Sequence, residues 1–132
     1  MLKNLRLIQK VALGFAGLFL GVYLMDFVPG VMDENGKMFG LFGMTPIVDF
    51  GHLALGALAL ISGLISAKIS RIYFWALAVW YGIDVITFTS SNLHALTPVK
   101  LVLINMPHFL ITCAAIYVAL KVDKQPAAVA TA

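Results

Sequence analysis

Five ionisable side chains lie inside apolar stretches of this sequence, where a charge is costly. They are three carboxylates and two imidazoles: Asp26, Asp49, Asp84, His52 and His108. A charged group at the centre of a bilayer costs at least about 2.5–3.5 kcal/mol, so such residues usually face a protein interior and have a partner. Carboxylates and imidazoles together bind metal ions, hold haem or relay protons. These five residues are therefore the first candidates for chemistry.

The two histidines share a local pattern that suits a haem. His52 follows Asp49 by three residues, and His108 follows Asn105 by three residues. Two histidines on facing helices of a four-helix bundle are the minimum for axial ligation of a b-type haem on both of its faces. Neighbouring Asp and Asn side chains would fix the tautomers of the imidazoles. The pattern thus predicts His52 and His108 as cofactor ligands.

A transition-metal ion is an alternative ligand for the same region. Mixed histidine and carboxylate sites suit both zinc and iron. The predicted metal ligands are His52, His108, Asp84 and Asp49. Four further polar side chains are expected to support either site: Asp26, Tyr23, Tyr81 and Asn105.

A structural role for these residues stays open beside the two ligand-binding interpretations. Asp26 would bond His52, and Asp84 would bond His108, in symmetric pairs that fasten each helical hairpin, because buried polar groups are normally hydrogen-bonded. Proton transport is a further alternative, since intramembrane Asp and His chains serve as relays. The inner half of the expected bundle, however, has Ser62 and Ser66 as its main polar side chains, so one copy of the chain shows no path for protons through the whole membrane.

The composition identifies the elements that must position these residues as membrane helices. The chain has 132 residues, of which 61% are hydrophobic and 11% are charged, whereas a soluble domain carries about 25% charged residues. A mean hydropathy of +0.97 excludes a water-soluble globular protein and a disordered chain. The single cysteine, Cys113, excludes an internal disulfide framework. The nine Lys and Arg residues are too few and too scattered for a nucleic-acid groove.

Four apolar stretches are long enough to span a bilayer, which requires about 20 residues. They cover residues 5–28, 46–67, 72–90 and 98–120. A tight inner turn is expected from Lys68 to Arg71. The apolar loop before the second span is expected to cover the outer mouth of the polar cluster. The fold class is therefore an all-α bundle of four transmembrane helices in one domain, residues 1–121, followed by a disordered tail at 122–132.

The basic residues predict the orientation of the bundle. Seven of the nine Lys and Arg residues fall at the amino end, between the second and third spans, or at the carboxyl end. Lys37 and Lys100 are the two on the other side. The positive-inside rule then places both termini in the cytoplasm and the polar cluster in the outer half of a bacterial inner membrane.

The order of the polar residues predicts two repeated hairpins. Each half reads Tyr-x-x-Asp, a loop, Thr-Pro, and then Asp or Asn followed by His three residues later. Asp26 precedes His52 by 26 residues, and Asp84 precedes His108 by 24 residues. Both halves enter the membrane from the same side, so the pseudo-twofold axis would lie along the membrane normal.

The two histidine segments resemble those of a known group of membrane proteins. Asp49-Phe-Gly-His52-Leu and Asn105-Met-Pro-His108-Phe, with Ser70-Arg71 at the start of the third helix, are similar to motifs of small bacterial four-helix membrane proteins classed as a domain of unknown function. Asp49 stands where Asn is more usual in these proteins. The resemblance implies the fold and the membrane location, and it implies no activity.

Small residues predict where helices approach closely. Gly56 and Gly63 lie on one face of the second span together with Asp49 and His52, a pattern that allows close helix contact. A glycine stripe on the first span points away from Asp26. The expected partners are therefore lipid and either a second copy of the chain or a larger membrane protein. A non-catalytic accessory or assembly subunit is the alternative function, and no enzyme activity is expected of the isolated chain.

Overall fold

The computed structural model describes residues 5–123, which form four long helices and one short β-hairpin. All four helices are long and apolar enough to cross a membrane. The elements in chain order are α1 (Leu7–Met25), β1 (Lys37–Met38), β2 (Phe42–Gly43), α2 (Pro46–Ile65), α3 (Ala67–Asn92) and α4 (Pro98–Lys121). The predicted fold class is confirmed: the chain is a multi-pass helical bundle of the membrane type.

The helices α2 and α4 begin in the same way, for a local chemical reason. The Thr45 hydroxyl accepts a hydrogen bond from the backbone N–H of Val48, and the Thr97 hydroxyl accepts one from Lys100, both at 3.4 Å. A proline follows each threonine at the first helical position. Threonine satisfies a free N–H at a helix start, and proline has no N–H to leave unpaired there. Both predicted starts are confirmed.

The predicted inner turn from Lys68 to Arg71 is wrong. A single extended residue, Ser66, joins α2 to α3, and its hydroxyl accepts a hydrogen bond from the N–H of Ile69 at 3.2 Å. Serine is a preferred helix-capping residue, so the helix restarts directly after it. Lys68 and Arg71 therefore lie in the first two turns of α3.

The amino-terminal helix is shorter than the apolar stretch that predicted it. Residues 5–28 were expected to be helical, whereas α1 ends at Met25 and Asp26 is the first residue beyond it. Hydropathy does not distinguish Phe27 and Val28, which follow in turns, from residues of the helix itself. The predicted disordered tail, apart from residues 122 and 123, lies outside the described residues.

The four helices pack as two hairpins, α1 with α2 and α3 with α4, and α3 also contacts α1 and α2. The first hairpin is held together by a face of small residues, as predicted. A Cβ atom placed on Gly63 would lie 2.9 Å from the backbone oxygen of Gln9, and one on Gly56 would lie 2.7 Å from Leu20 Cγ. Ala59, between these glycines, is fully buried. The glycine stripe of α1, by contrast, faces open space in the described part of the chain. No described atom lies within 4 Å of a Cβ atom added to Gly14, Gly17 or Gly21.

Aromatic and polar side chains complete the interior. The rings of Phe15 and Phe74 meet edge to face at 5.2 Å between their centroids, and Phe74 is fully buried. Near the start of α1, Gln9 Nε2 donates to the carbonyl oxygen of Gly63 at 2.9 Å, while Ser70 Oγ donates to that of Ser62 at 3.0 Å. Hydrogen bonds of this kind are required where polar groups leave water. They tie α1 to α2, and α2 to α3, at the end of the bundle opposite the predicted site.

Candidate functional site

A cavity of about 510 Å³ lies between the two hairpins, where α1 ends and where α2 and α4 begin. All four helices and the β-hairpin contribute to its lining. The residues of the β-hairpin and its flanks that line the cavity are Met38, Phe39, Phe42 and Met44. This position agrees with the prediction that the loop before the second span covers the polar cluster. The polar side chains on its wall are His52, Tyr81, Asp84 and His108. We call this space the inter-hairpin cavity.

One predicted pair is confirmed on the wall of this cavity. Nδ1 of His108 on α4 lies 2.6 Å from Oδ2 of Asp84 on α3, and both side chains remain partly exposed. A carboxylate on Nδ1 fixes the orientation and the tautomer of an imidazole. The other ring nitrogen of His108, Nε2, is then the atom that is left to contact a ligand.

A row of four rings connects the two histidines. Phe19 lies 6.2 Å from His52 and 5.8 Å from Tyr81, and Tyr81 lies 5.0 Å from His108, measured between ring centroids. Phe19 and Tyr81 are nearly parallel, at 22°. All four residues line the inter-hairpin cavity. We call this row the aromatic wall, and the two imidazoles lie at its ends.

The predicted hydrogen bond between Asp26 and His52 is wrong. The carboxyl group of Asp26 instead lies beside that of Asp49. Both carboxyl oxygens of Asp26, Oδ1 of Asp49 and Nδ1 of His52 are buried, and none of them has a hydrogen-bond partner within residues 5–123. The reason is the early end of α1, which leaves Asp26 level with the first turn of α2. The two hairpins therefore differ in their polar contacts.

The four residues predicted to bind a metal ion do not converge. Asp84 pairs with His108, while Asp49 lies beside Asp26 at the other hairpin. Two rings of the aromatic wall, Phe19 and Tyr81, stand between His52 and His108. In the described part of the chain, no group of three or more His, Cys, Asp or Glu side chains is arranged to hold a metal ion. The structure thus does not form the predicted four-ligand site.

The supporting residues divide between structure and site. Asn105 Nδ2 donates to Thr89 Oγ1 at 2.8 Å and to the carbonyl oxygen of Val85 at 3.2 Å, which fastens α4 to α3. Tyr23 packs its ring against Phe27, 5.5 Å away. Tyr81 lines the cavity. Asn105 and Tyr23 do not line the inter-hairpin cavity, and their supporting role stays a prediction.

Phe19 is a site residue that the sequence did not indicate. It is 1% exposed and stands between His52 and Tyr81. The chain has nine phenylalanines, and no local pattern distinguishes this one from the others. Its position depends on contacts among three different helices, which only the folded chain reveals.

Comparisons with known proteins found no relative from which a function could be inferred. No family model matches the chain, and neither a curated protein nor a solved structure matches it.

Proposed function

We propose that this protein binds a flat, membrane-soluble ligand in the inter-hairpin cavity, and that the ligand is a quinone. The observation that carries the proposal is the Asp84–His108 pair on the wall of an otherwise apolar cavity. Ligand sites typically have volumes of about 300–1,000 Å³ and combine apolar walls with a few placed polar groups. The inter-hairpin cavity fits this description in volume and in lining.

The shape of the cavity wall favours a planar ring. Phe19 and Tyr81 are buried, nearly parallel rings in the middle of the aromatic wall. Their faces stack on each other, so a conjugated ring in the cavity would meet their edges, and edge-to-face contact is an arrangement that aromatic pairs favour. Imidazoles stand at both ends of this wall, so a ligand on it meets polar groups at two opposite edges. A quinone has a flat ring with an oxygen at each of two opposite edges.

The Asp84–His108 pair suits both redox forms of such a ligand. When His108 is protonated, Nε2–H donates a hydrogen bond to a quinone carbonyl, while the Asp84 carboxylate stabilises the imidazolium. When His108 is neutral with its proton on Nδ1, Nε2 accepts a hydrogen bond from a quinol hydroxyl. His52 would contact the second oxygen.

Haem b is the second candidate, and one observation favours it. A histidine whose Nδ1 bonds a carboxylate resembles a ligand oriented for a metal, and His108 has this geometry. Ligation by both His52 and His108 would require the haem to lie between them, which is where the aromatic wall stands. Haem bound through His108 alone is therefore the form that we retain.

We further propose that the bundle lies in a bacterial inner membrane with both termini in the cytoplasm. The distribution of the basic residues supports this orientation. The matching Thr-Pro starts of α2 and α4 support an origin of the two hairpins by duplication. A role as an accessory subunit, with a second copy or a larger membrane protein on the open glycine stripe of α1, stays a prediction.

Extraction of the bound ligand tests the proposed function. The protein is purified from native membranes in a mild detergent, and organic extracts are analysed by chromatography, mass spectrometry and absorption spectroscopy. We expect about one quinone per chain, in excess over a matched membrane protein purified in the same way. A haem spectrum that corresponds to about one haem per chain would instead support haem b as the ligand of the inter-hairpin cavity. A well-folded sample with neither molecule would contradict both.

A further inference from the structure

A second cavity lies at the opposite end of the helices, where α1 and α3 begin and α4 ends. Its volume is about 540 Å³, and it is open to the surface. The charged side chains that line it are Arg6, Lys68, Arg71 and Asp123. We call it the basic cleft. None of these residues takes part in the inter-hairpin cavity, so the basic cleft is a separate feature of the fold.

One cationic side chain of the cleft, that of Arg71, has a fixed position. Arg71 Nη2 donates to the carbonyl oxygen of Val122 at 2.7 Å, and Nη1 donates to that of Ala119. These bonds satisfy two of the free carbonyl groups at the end of α4. A guanidinium has five N–H donors, so three remain for another group. Arg71 is therefore ordered before any ligand arrives.

Positive charge is in excess in the cleft. Among residues 5–123 the one carboxylate that lines the cleft is Asp123, which accepts a hydrogen bond from the backbone N–H of Ile8 at 2.8 Å, at the positive end of the α1 dipole. Across residues 5–123 the only ion pair joins His108 to Asp84, so no carboxylate there pairs with Arg6, Lys68 or Arg71. Three cations thus face one acid whose charge already has a partner.

The surroundings of the cleft fit a lipid headgroup. Trp75 lies one helical turn beyond Arg71, lines the cleft and is 43% exposed. Tryptophan is enriched at the boundary between membrane and water. Basic pockets between membrane helices bind anionic headgroups, and arginine matches the geometry of phosphate oxygens. From the cleft towards the middle of the membrane, the apolar surfaces of α3 and α4 offer contact to the acyl chains of a lipid.

We propose that the basic cleft binds the phosphate group of an anionic phospholipid, with Arg71 and Lys68 as its main contacts. Free phosphate presents the same chemistry, so a test must separate the two sources. Lys68 is the better residue to vary, because it is exposed and makes no side-chain hydrogen bond within the described residues. Arg71 also holds the end of α4, so its loss would alter the fold.

Lipid binding to the delipidated protein tests this proposal by native mass spectrometry. Phosphatidylglycerol, phosphatidylcholine and inorganic phosphate are each titrated against the wild type, Lys68→Gln and Lys100→Gln. Lys100 is the matched control, an exposed lysine at the other end of the bundle. We expect phosphatidylglycerol to bind more tightly than phosphatidylcholine, and Lys68→Gln to weaken it about fivefold, as expected for about 1 kcal/mol per lysine near a charged surface.

The outcomes separate the possible sources of the phosphate group. Preference for phosphatidylglycerol that falls in Lys68→Gln and persists in Lys100→Gln supports the site with a lipid as its ligand. Binding of inorganic phosphate alone, lost in Lys68→Gln, would keep the phosphate chemistry and overturn the lipid assignment. Equal affinity for both lipids without phosphate binding, or an equal effect of the two substitutions, would overturn the proposal altogether.

Discussion

His108→Ala is expected to remove most of the bound ligand while the bundle stays folded. The substitution deletes the imidazole that Asp84 orients at 2.6 Å, and so deletes the best-placed polar contact on the cavity wall. Hydrogen bonds to charged groups contribute about 1.5–3 kcal/mol, which corresponds to about 10- to 150-fold in affinity. The substitution also leaves the Asp84 carboxyl group without its partner inside a membrane helix, so we expect a cost in stability of about 1–3 kcal/mol beside the loss of ligand.

Ligand content per chain, measured on purified protein, checks this prediction. His94→Ala is the matched control, because His94 is exposed and does not line the inter-hairpin cavity. Asp84→Asn keeps the size of the side chain and removes its charge, so it should retain an intermediate amount of ligand. Equal ligand content in His108→Ala and His94→Ala, with both proteins folded, would contradict a role for His108 in binding.

Gly63→Ala is expected to destabilise the first hairpin. The added methyl group would lie 2.9 Å from the backbone oxygen of Gln9 and 2.9 Å from Leu13 Cδ2. A backbone atom cannot move aside as a flexible side chain can, so α1 must shift away from α2. Overpacking of this kind typically costs about 1–3 kcal/mol. The buried hydrogen bond from Gln9 to the carbonyl of Gly63 would lengthen as well.

Thermal unfolding in one detergent, with Gly17→Ala as the control, measures the effect. Gly17 also lies within a helix, but nothing lies within 4 Å of an added Cβ atom there. Alanine is the better helix former by about 1 kcal/mol, so Gly17→Ala should unfold at the same temperature as the wild type or higher. A midpoint for Gly63→Ala that is no lower than that of Gly17→Ala would show that α1 and α2 are not held this closely.

The parts of the fold that depend on local chemistry were predictable from the sequence. Thr45 and Thr97 determine where α2 and α4 begin, because each caps its helix with its own hydroxyl. The Asp84–His108 pair was also among the predictions, as one of two symmetric pairs that would fasten the hairpins, and its residues lie on consecutive helices. In each case a few residues, close in sequence or on neighbouring helices, decide the outcome.

The parts that depend on helix ends and distant contacts were not predictable. Asp26 was expected beside His52, but α1 ends at Met25 and leaves Asp26 beside Asp49. An apolar stretch does not show at which residue a helix stops. The aromatic wall is a second case, because Phe19 meets His52 and Tyr81 only when α1, α2 and α3 pack together. The first error changed the chemistry assigned to one whole hairpin.

Filling the inter-hairpin cavity tests the central claim most directly. Ile111→Trp places an indole at a residue that lines the cavity and leaves every polar side chain unchanged. Ile116→Trp makes the same change at an exposed position five residues further along α4, outside the cavity. The measurement is the ratio of extracted ligand to protein for these two variants and the wild type. We predict that Ile111→Trp loses the ligand while Ile116→Trp retains it; equal retention in both folded variants would place the ligand elsewhere.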